Sequence, residues 1–303
     1  MPDLAGVAIG PIARIPTWFR IGGGADRYAD VHSAADLRAC LELDANALVL
    51  GRGANLLVLD GGVPQLVLRL AGPELAGIEI DRDAGALRVG AAADLQRTQI
   101  VTARAGLRGL ETLAGVPASI GGAIAMNAGG AHGSTFDHLR RITAMRRDGA
   151  VVDLDPAQLG ATYRDGGLGD AIVLAAEFAL ESDDPAAVRT DLKRVMESKR
   201  TSQPLASRSA GCVFKNPVVD GGIDGVASPG QRTSAGLLID RAGCKGLRRG
   251  GAAVSDRHAN FFVVDARSAR AADVLELIHD VQRRVHECFG VRLEPEIKIW
   301  GTP

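Results

Sequence analysis

The placement of glycine constrains this chain more than any other feature. Two loops, Gly51-Arg-Gly-Ala-Asn-Leu-Leu57 and Gly115-Val-Pro-Ala-Ser-Ile-Gly-Gly122, are glycine-dense, and the second runs on to Ala125-Met-Asn-Ala-Gly-Gly130. A third cluster, Ile21-Gly-Gly-Gly24, lies near the start. The 38 glycines among 303 residues are nearly twice the usual share of about 7%. Without a Cβ, a backbone turns with positive φ and comes close to another backbone or to a ligand. The bare N–H groups of such a turn point one way and form an anion-binding concavity. On that reading Gly51, Arg52, Gly53, Ala54, Asn55 and Leu56 grip a pyrophosphate from one side. Gly115, Ser119, Gly121, Gly122, Asn127 and Gly129 grip it from the other, with Ser119 and Asn127 adding side-chain hydrogen bonds. The competing reading is a tight turn or a glycine-rich loop packed on a sheet, and it is preferred for the first loop taken alone and for Ile21–Gly24. Neither loop is GxGxxG between a strand and a helix: the first lacks the third glycine and is followed by strand-like residues, which argues against a Rossmann domain.

Between the loops the chain alternates short β-like runs with helical pieces. Positions 47–50, 56–59 and 65–70 read as strands. Ser33-Ala-Ala-Asp36 reads as a capping box opening a helix through Leu43, and Asp94 as the cap of a helix that stops at Gly106. Ile142–Met145 and Val151–Leu154 flank a hairpin turn, and 171–180 reads as the last strand of the first half. The polar stretch Glu181-Ser-Asp-Asp-Pro185 marks a boundary before a charged helix from Ala186 to about Ser198. That gives a domain over 1–184, with its core at about 17–183, and a second over 185–303. In the second, Thr233 or Ser234 starts a short helix ending at Gly243, and 261–264 is strand-like. Ser268 is expected to cap a longer helix in which Val274, Leu277, Ile278, Val281, Val285 and Cys288 share one apolar face, closed by Gly290.

Bulk properties exclude several classes. A formal net charge of −1 gives no overall field for nucleic acid or an anionic membrane. No apolar run approaches the ~18 residues of a membrane span. The N-terminal segment has an early acid and no basic start, unlike a signal peptide. Cys40, Cys212, Cys244 and Cys288 form no CxxC pair and no zinc-like spacing with histidine. A chain of this size without a disulfide framework suits a reducing compartment, so the expectation is a soluble cytoplasmic protein without a metal.

Further stretches carry a family pattern. Thr17-Trp-Phe-Arg-Ile-Gly-Gly23 fits TxFRxGG, and the first loop, continued to Val58, fits GxGSNLLV. Gly109 to Gly133 fits GxExLxGIPGxxGGAxxMNAGAYG. Tyr163-Arg164 follows, then Gly211-Cys-Val-Phe-Lys-Asn-Pro217 for GSxFKNP, and Leu293 to Gly301 for LEPEIxxxG. In this order, over nearly the whole chain, the pattern resembles the UDP-N-acetylenolpyruvoylglucosamine reductases. The resemblance implies an α+β protein: an FAD-binding domain of the vanillyl-alcohol-oxidase (PCMH) type, then a smaller α+β substrate domain. It implies non-covalent FAD, NADPH as co-substrate, a nucleotide-sugar substrate, no nucleic-acid or membrane partner, and a monomer. The chain is too short for the extra tyrosine-bearing loop of the longer subtype and is assigned to the shorter one.

The same resemblance assigns Arg164, Cys212 and Glu296 to catalysis and Tyr163, Lys215, Asn216 and Asn260 to the substrate. Residue logic alone leaves Glu294 and Glu296 open, because i and i+2 share a strand face. Along that expected strand Val291, Leu293, Ile297 and Ile299 take the buried side. A permanent guanidinium suits a developing enolate, and lysine suits a diphosphate as a point charge. Cys212 stands where the family has a proton-donating serine. A thiol with an ordinary pKa of about 8.5 is mostly protonated at neutral pH and is a stronger acid than an alcohol. Other departures are Ala54 for serine, Arg52 as an added phosphate contact, Ala118 for glycine, which requires negative φ, and Ala131-His132 where the family has Ala-Tyr. Two alternatives remain: an FAD-fold oxidase of a sugar or alcohol, and a non-catalytic flavin or nucleotide-sugar binder.

Overall fold

Parallel strands need a crossover between them, and the first third of the chain supplies one. In the computed structural model, which describes residues 6–265 and 267–303, the strand Ala25–Val31 leads into helix α1 (Ala34–Leu43), which returns the chain to Leu48–Leu50. Part of the N-terminal segment read above for targeting lies outside the described residues. Ser33 caps α1 as a full capping box: its side chain accepts from the Asp36 N–H, and Asp36 reaches back to the Ser33 N–H at 3.1 Å. Ala25–Val31 and Leu48–Leu50 both pair in parallel with Val67–Leu70, and Gly10–Ile12 adds an antiparallel edge.

A second, antiparallel sheet has the order Val151–Leu154, Leu139–Met145, Ile172–Ala179, Ala86–Gly90, Ile78–Asp81. Its hairpin at 146–150 closes through an Arg146 N–H to Ala150 carbonyl bond, with Gly149 at φ 82°. Short helix α2 (Gly72–Ala76) precedes this sheet in the chain. Helix α3 (Leu95–Ala105) starts on Asp94, whose carboxylate accepts from the Arg97 N–H, and ends at Gly106 in the left-handed region. The six-residue α4 (Ile120–Ala125) starts on Ser119. The two sheets and these helices enclose two adjoining apolar clusters. One holds Leu87, Ile142 and Phe178; the other holds Val31, Leu37 and Leu68.

The chain divides into two units. The first comprises the segment ending at Ile12, Ala25–Arg52 and Pro64–Lys199; the second comprises Ala13–Gly24, Gly53–Val63 and Arg200–Pro303. The expected cut at 184/185 thus falls inside the first unit, just where α5 (Pro185–Ser202) begins. The polar stretch before it is structured: Glu181–Ser182 pairs antiparallel with Leu107–Arg108. Two early segments fold with the second unit because Leu56–Val58 pairs in parallel with Lys298–Trp300, at the far end of the sequence.

The core of the second unit is an amphipathic helix on a small sheet. Helix α7 (Ala271–Phe289) buries Val274, Leu277, Ile278, Val281 and Val285 together with Ala252–Val254 and Phe262–Val264. Helix α6 (Ala235–Arg241) is capped by Ser234 and adds Leu238 and Ile239 to the same cluster. Two expectations fail on α7. Ser268 does not cap it; its N–H and hydroxyl both go to Asp265. The free N–H groups of the first turn go instead to Asp60, which accepts from Ala271 and Ala272 at 3.0 Å each, a carboxylate at the positive end of the helix dipole. Cys288 is exposed rather than core, because the buried stripe ends at Val285 and only Phe289 of the last turn packs on the cluster. The C-terminal strand is also shorter than expected. It covers only Lys298–Trp300 and has one partner strand, so Ile299 is 37% exposed.

Candidate active site

In the first unit the two glycine loops meet. A Cβ built on Gly51 would lie 2.9 Å from the Ser119 hydroxyl and 4.0 Å from the Gly122 Cα; one on Gly122 would lie 3.2 Å from the same hydroxyl. The Ser119 hydroxyl accepts from the Gly122 N–H at 3.2 Å. Gly51, Ser119 and Gly122 therefore bring the two loops together, with the Ser119 hydroxyl taking the space that a side chain at Gly51 would enter. The other glycines of this set serve packing. Gly121 donates to the Ala91 carbonyl at 2.9 Å, and a Cβ there would meet Ala91 at 3.0 Å. Gly115, at φ 77°, faces Lys199 and Met196 of α5; a Cβ on Gly129 would lie 2.7 Å from the Gly133 carbonyl across a two-residue hairpin. Arg52 is ion-paired with Asp94, the α3 cap, so its charge is matched inside the protein and does not stand ready for a phosphate as expected. Ala118 is not among the residues with positive φ, as its side chain requires.

Tyr163 and Arg164 occupy the corner of a tight turn. Thr162 and Asp165 exchange both backbone hydrogen bonds, at 2.9 and 3.2 Å. Arg164 has φ 64°, the left-handed conformation that a turn of this kind reserves for glycine. Its guanidinium lies 4.9 Å from the Tyr163 ring centroid. The corner is fastened from both sides. Asn127, itself at φ 36°, donates through Nδ2 to the Thr162 carbonyl at 3.1 Å, and the Gly166 N–H reaches the Ala125 carbonyl at 3.1 Å. Only three described non-glycine residues have positive φ, and two of them, Asn127 and Arg164, are in this corner. Backbone strain held by surrounding bonds is a mark of functional loops. Asn127 thus serves to hold the Arg164 corner through Nδ2.

In the second unit the segment 212–215 runs between two others. On one edge Cys212 bridges Phe261, and the Val213 N–H donates to the Asn260 carbonyl at 2.8 Å. On the other edge the Glu296 N–H donates to the Val213 carbonyl at 2.7 Å, and the Lys215 N–H to the Glu294 carbonyl at 2.9 Å. The thiol-bearing and carboxylate-bearing segments are thus neighbours although far apart in the sequence. Cys212 is half-buried, while Cys40 and Cys244 are buried, where burial pushes their thiols up. Glu294 and Glu296 are distinguished here. The Glu294 side chain is 70% exposed and ion-paired with Lys215 at 2.6 Å, whereas Glu296 is half-buried.

The amides take positions that sequence reasoning did not assign. Asn55 donates through Nδ2 to the Glu296 carbonyl at 3.0 Å and accepts on its own carbonyl from Lys298 at 2.9 Å; within its unit it steadies the glutamate segment. Gly53, at φ 62°, lies against Pro16 and Thr17, and its carbonyl accepts from the Trp18 N–H at 3.0 Å. Leu56 is a buried strand residue and Ala54 is half-buried. The Asn216 Oδ1 accepts from the Ala235 N–H at 3.0 Å, a second cap on α6 beside Ser234. Asn260 is 2% exposed, with its carboxamide turned onto Phe214; that burial contradicts its expected contact with substrate. His258 was missed. Its Nδ1 accepts from the Asn260 N–H at 3.3 Å, and a single histidine in Asp-Arg-His-Ala-Asn gives no local signal of that role. Among the described residues no group of three or more His, Cys, Asp or Glu is placed to hold a metal ion. No helix among them is long and apolar enough to cross a membrane.

Residues 203–300 match the family described as UDP-N-acetylenolpyruvoylglucosamine reductase, C-terminal domain, and residues 26–155 match FAD binding domain. Curated relatives carry the first of these names. The one from Bradyrhizobium is 38% identical over 307 residues, spanning 100% of this chain and 95% of its own length. The one from Syntrophobacter fumaroxidans is 40% identical over 292 residues, spanning 93% and 80%. A crystal structure of UDP-N-acetylenolpyruvylglucosamine reductase from Thermus caldophilus superposes with a TM-score of 0.81 at 37% identity. It covers 97% of this chain and 100% of its own.

Proposed function

The chain belongs to the UDP-N-acetylenolpyruvoylglucosamine reductase family, and on that footing we propose that it reduces the enolpyruvyl ether of UDP-N-acetylglucosamine-enolpyruvate to UDP-N-acetylmuramate. It is an NADPH-dependent flavoprotein oxidoreductase of peptidoglycan precursor synthesis, acting in the cytoplasm as a monomer. The FAD-binding-domain match covers residues 26–155, most of them in the first unit, and the reductase C-terminal match covers residues 203–300 of the second.

The residues present fit a flavin dinucleotide. Gly51 is exposed and presents bare backbone beside Ser119 and Gly122, where an added Cβ would meet the Ser119 hydroxyl at 2.9 Å; that close approach of backbone suits a pyrophosphate. FAD, when bound, supplies the hydride chemistry between NADPH and the terminal carbon of the enolpyruvyl group. The remaining work falls to the chain. As hydride arrives at the terminal carbon, negative charge grows on the adjacent carbon and its carboxylate. Arg164 stabilises that charge with a guanidinium that never deprotonates. Cys212 donates its S–H proton to the adjacent carbon, so the C=C bond becomes a CH–CH3 unit. Glu296 orients that proton transfer. Lys215 meets the diphosphate as a point charge and exchanges Glu294 for it, while Tyr163 lines the substrate beside Arg164. Asn216 acts on the substrate region through the start of α6.

The observation that carries this reading is the Glu296 N–H bond to the Val213 carbonyl, which seats the carboxylate segment against the residue next to the thiol. The test is direct. The purified protein shows a flavin absorption spectrum, and without oxygen NADPH bleaches it. Colour returns on adding the enolpyruvyl nucleotide sugar. Absence of flavin, or oxygen uptake driven by a sugar or alcohol without NADPH, would contradict the reading.

A further inference from the structure

We propose that Asn260 is a positioning residue for the Cys212 proton donor, acting as a surrogate peptide group on the segment that carries the thiol. The inference rests on the proposed reduction and on the role of Cys212 in it. The Asn260 carboxamide addresses both backbone groups of one residue. Oδ1 accepts from the Phe214 N–H at 2.9 Å, and Nδ2 donates to the Phe214 carbonyl at 2.8 Å. The Asn260 backbone carbonyl takes the Val213 N–H at 2.8 Å. Three hydrogen bonds from one residue therefore fix two consecutive residues immediately after Cys212. The opposite edge is held by Glu294 and Glu296, whose segment bonds Val213 and Lys215. Asn260 is thus the counterpart of the glutamate segment, and the thiol's segment is clamped between them.

Burial makes the arrangement stringent. Phe214 and Val213 are fully buried, and Asn260 sits beside Ala259 and Phe262 of the same apolar cluster. A buried amide is tolerated there only when it is hydrogen-bonded. Removing it leaves the Phe214 N–H and carbonyl without these partners in an apolar setting, and the segment must shift to find others. The fixing continues one layer out. His258 Nδ1 accepts the Asn260 N–H at 3.3 Å, and the His258 ring stacks edge-to-face on Phe261 at 4.8 Å. Phe261 in turn bridges Cys212.

The test measures the two half-reactions separately, without oxygen, on the flavin-loaded protein in five forms: the parent, Asn260→Ala, Asn260→Asp, Cys212→Ala, and the Cys212→Ala/Asn260→Ala double variant. Asn260→Ala is expected to leave flavin bleaching by NADPH and the Kd for the enolpyruvyl nucleotide sugar unchanged. It slows reoxidation by that substrate on the order of 10- to 100-fold, the cost of a reacting group displaced by about 1 Å. Asn260→Asp keeps the shape; burial favours its neutral acid, whose C=O accepts from the Phe214 N–H and whose O–H donates to the Phe214 carbonyl, and it gives a smaller loss. In the Cys212→Ala background the Asn260 substitution adds nothing, because there is no thiol left to misplace. An equal loss in both backgrounds marks a general structural residue and overturns the proposal. A weaker Kd with an unchanged rate marks a substrate ligand and also overturns it. Where Asn260→Ala holds no flavin, Asn260→Asp in both backgrounds separates the same outcomes. Failure of the underlying reading is separate: parental reduced flavin is then not reoxidised by the substrate, or Cys212→Ala is as fast as the parent. Either result removes the proposal with it.

Discussion

Arg164 offers the sharpest separation of stability from chemistry. At φ 64° a side chain costs about 1–2 kcal/mol relative to glycine. Arg164→Gly removes that strain. Against it stand the greater freedom of glycine in the unfolded chain, about 0.4–1 kcal/mol, and the lost guanidinium contact with the Tyr163 ring, about 0.5–1 kcal/mol. Arg164→Gly and Arg164→Ala both lose every contact of the guanidinium, so the difference between them isolates the backbone, at about 2–4 °C per kcal/mol for a unit of this size. Arg164→Ala keeps the strained φ and loses the same contact, and is expected to be the less stable of the two by roughly 1 kcal/mol. Both lose the charge stabilisation equally. By analogy with removing one preorganised oxyanion donor, substrate reoxidation of the reduced flavin falls about 10²- to 10³-fold in each, with flavin reduction by NADPH retained. Thermal melting followed by flavin fluorescence, with stopped-flow half-reactions, reads both quantities. The reasoning is refuted if Arg164→Ala is the more stable variant. It is also refuted if the two half-reactions fall together.

The remaining predictions concern the second unit and the glycine loop. Gly53→Ala puts a Cβ 2.3 Å from the Pro16 carbonyl at φ 62°, whereas Gly51→Ala meets only the rotatable Ser119 hydroxyl at 2.9 Å. Gly53→Ala is expected to cost about 2–4 kcal/mol from overpacking and backbone strain together and Gly51→Ala under about 1 kcal/mol, readable by denaturant unfolding; equal losses would contradict the geometry. His258 is held below its ordinary range, first by burial and further by the Lys245 charge. The unfolded chain therefore takes up the extra proton first. The stability His258 contributes is complete above about pH 6.5 and is lost as pH falls through the lower folded-state value. Protonation also abolishes the Nδ1 acceptor for Asn260. Unfolding midpoints across that range should fall in the parent and lie flatter in His258→Gln; parallel curves would exclude the histidine as the source.

Much of the fold was legible because its signals are local. Ser33 with Asp36, Asp94 with Gly106, and the turn ending at Gly149 each specify their element within a few residues, and the structure places α1, α3 and the hairpin there. Where a distant segment decides, the sequence is silent. Nothing near Ser268 shows that Asp60 will cap α7, and nothing in 53–63 shows that Leu56–Val58 will pair with Lys298–Trp300. Periodicity also cannot see where a supporting surface stops, which is why Cys288 and Ile299 emerge into solvent. At the candidate site the residue types were readable, but their tasks were not always. Amides look like ligands in a sequence. Asn55 and Asn260 instead spend side-chain hydrogen bonds on backbone of their own unit, and Arg52 on Asp94. Gly211 and Arg164 take left-handed backbones; only the glycine announces it.

The claim on which the account rests is that the Cys212 thiol protonates the substrate carbon, and single-turnover reoxidation of the NADPH-reduced protein by the enolpyruvyl nucleotide sugar measures that step. Cys212→Ala is predicted to reduce its flavin at the parental rate and to be reoxidised about 10²- to 10⁴-fold more slowly, the usual worth of a positioned general acid. Cys212→Ser should retain substantial turnover. Reoxidation of Cys212→Ala at the parental rate would contradict the account.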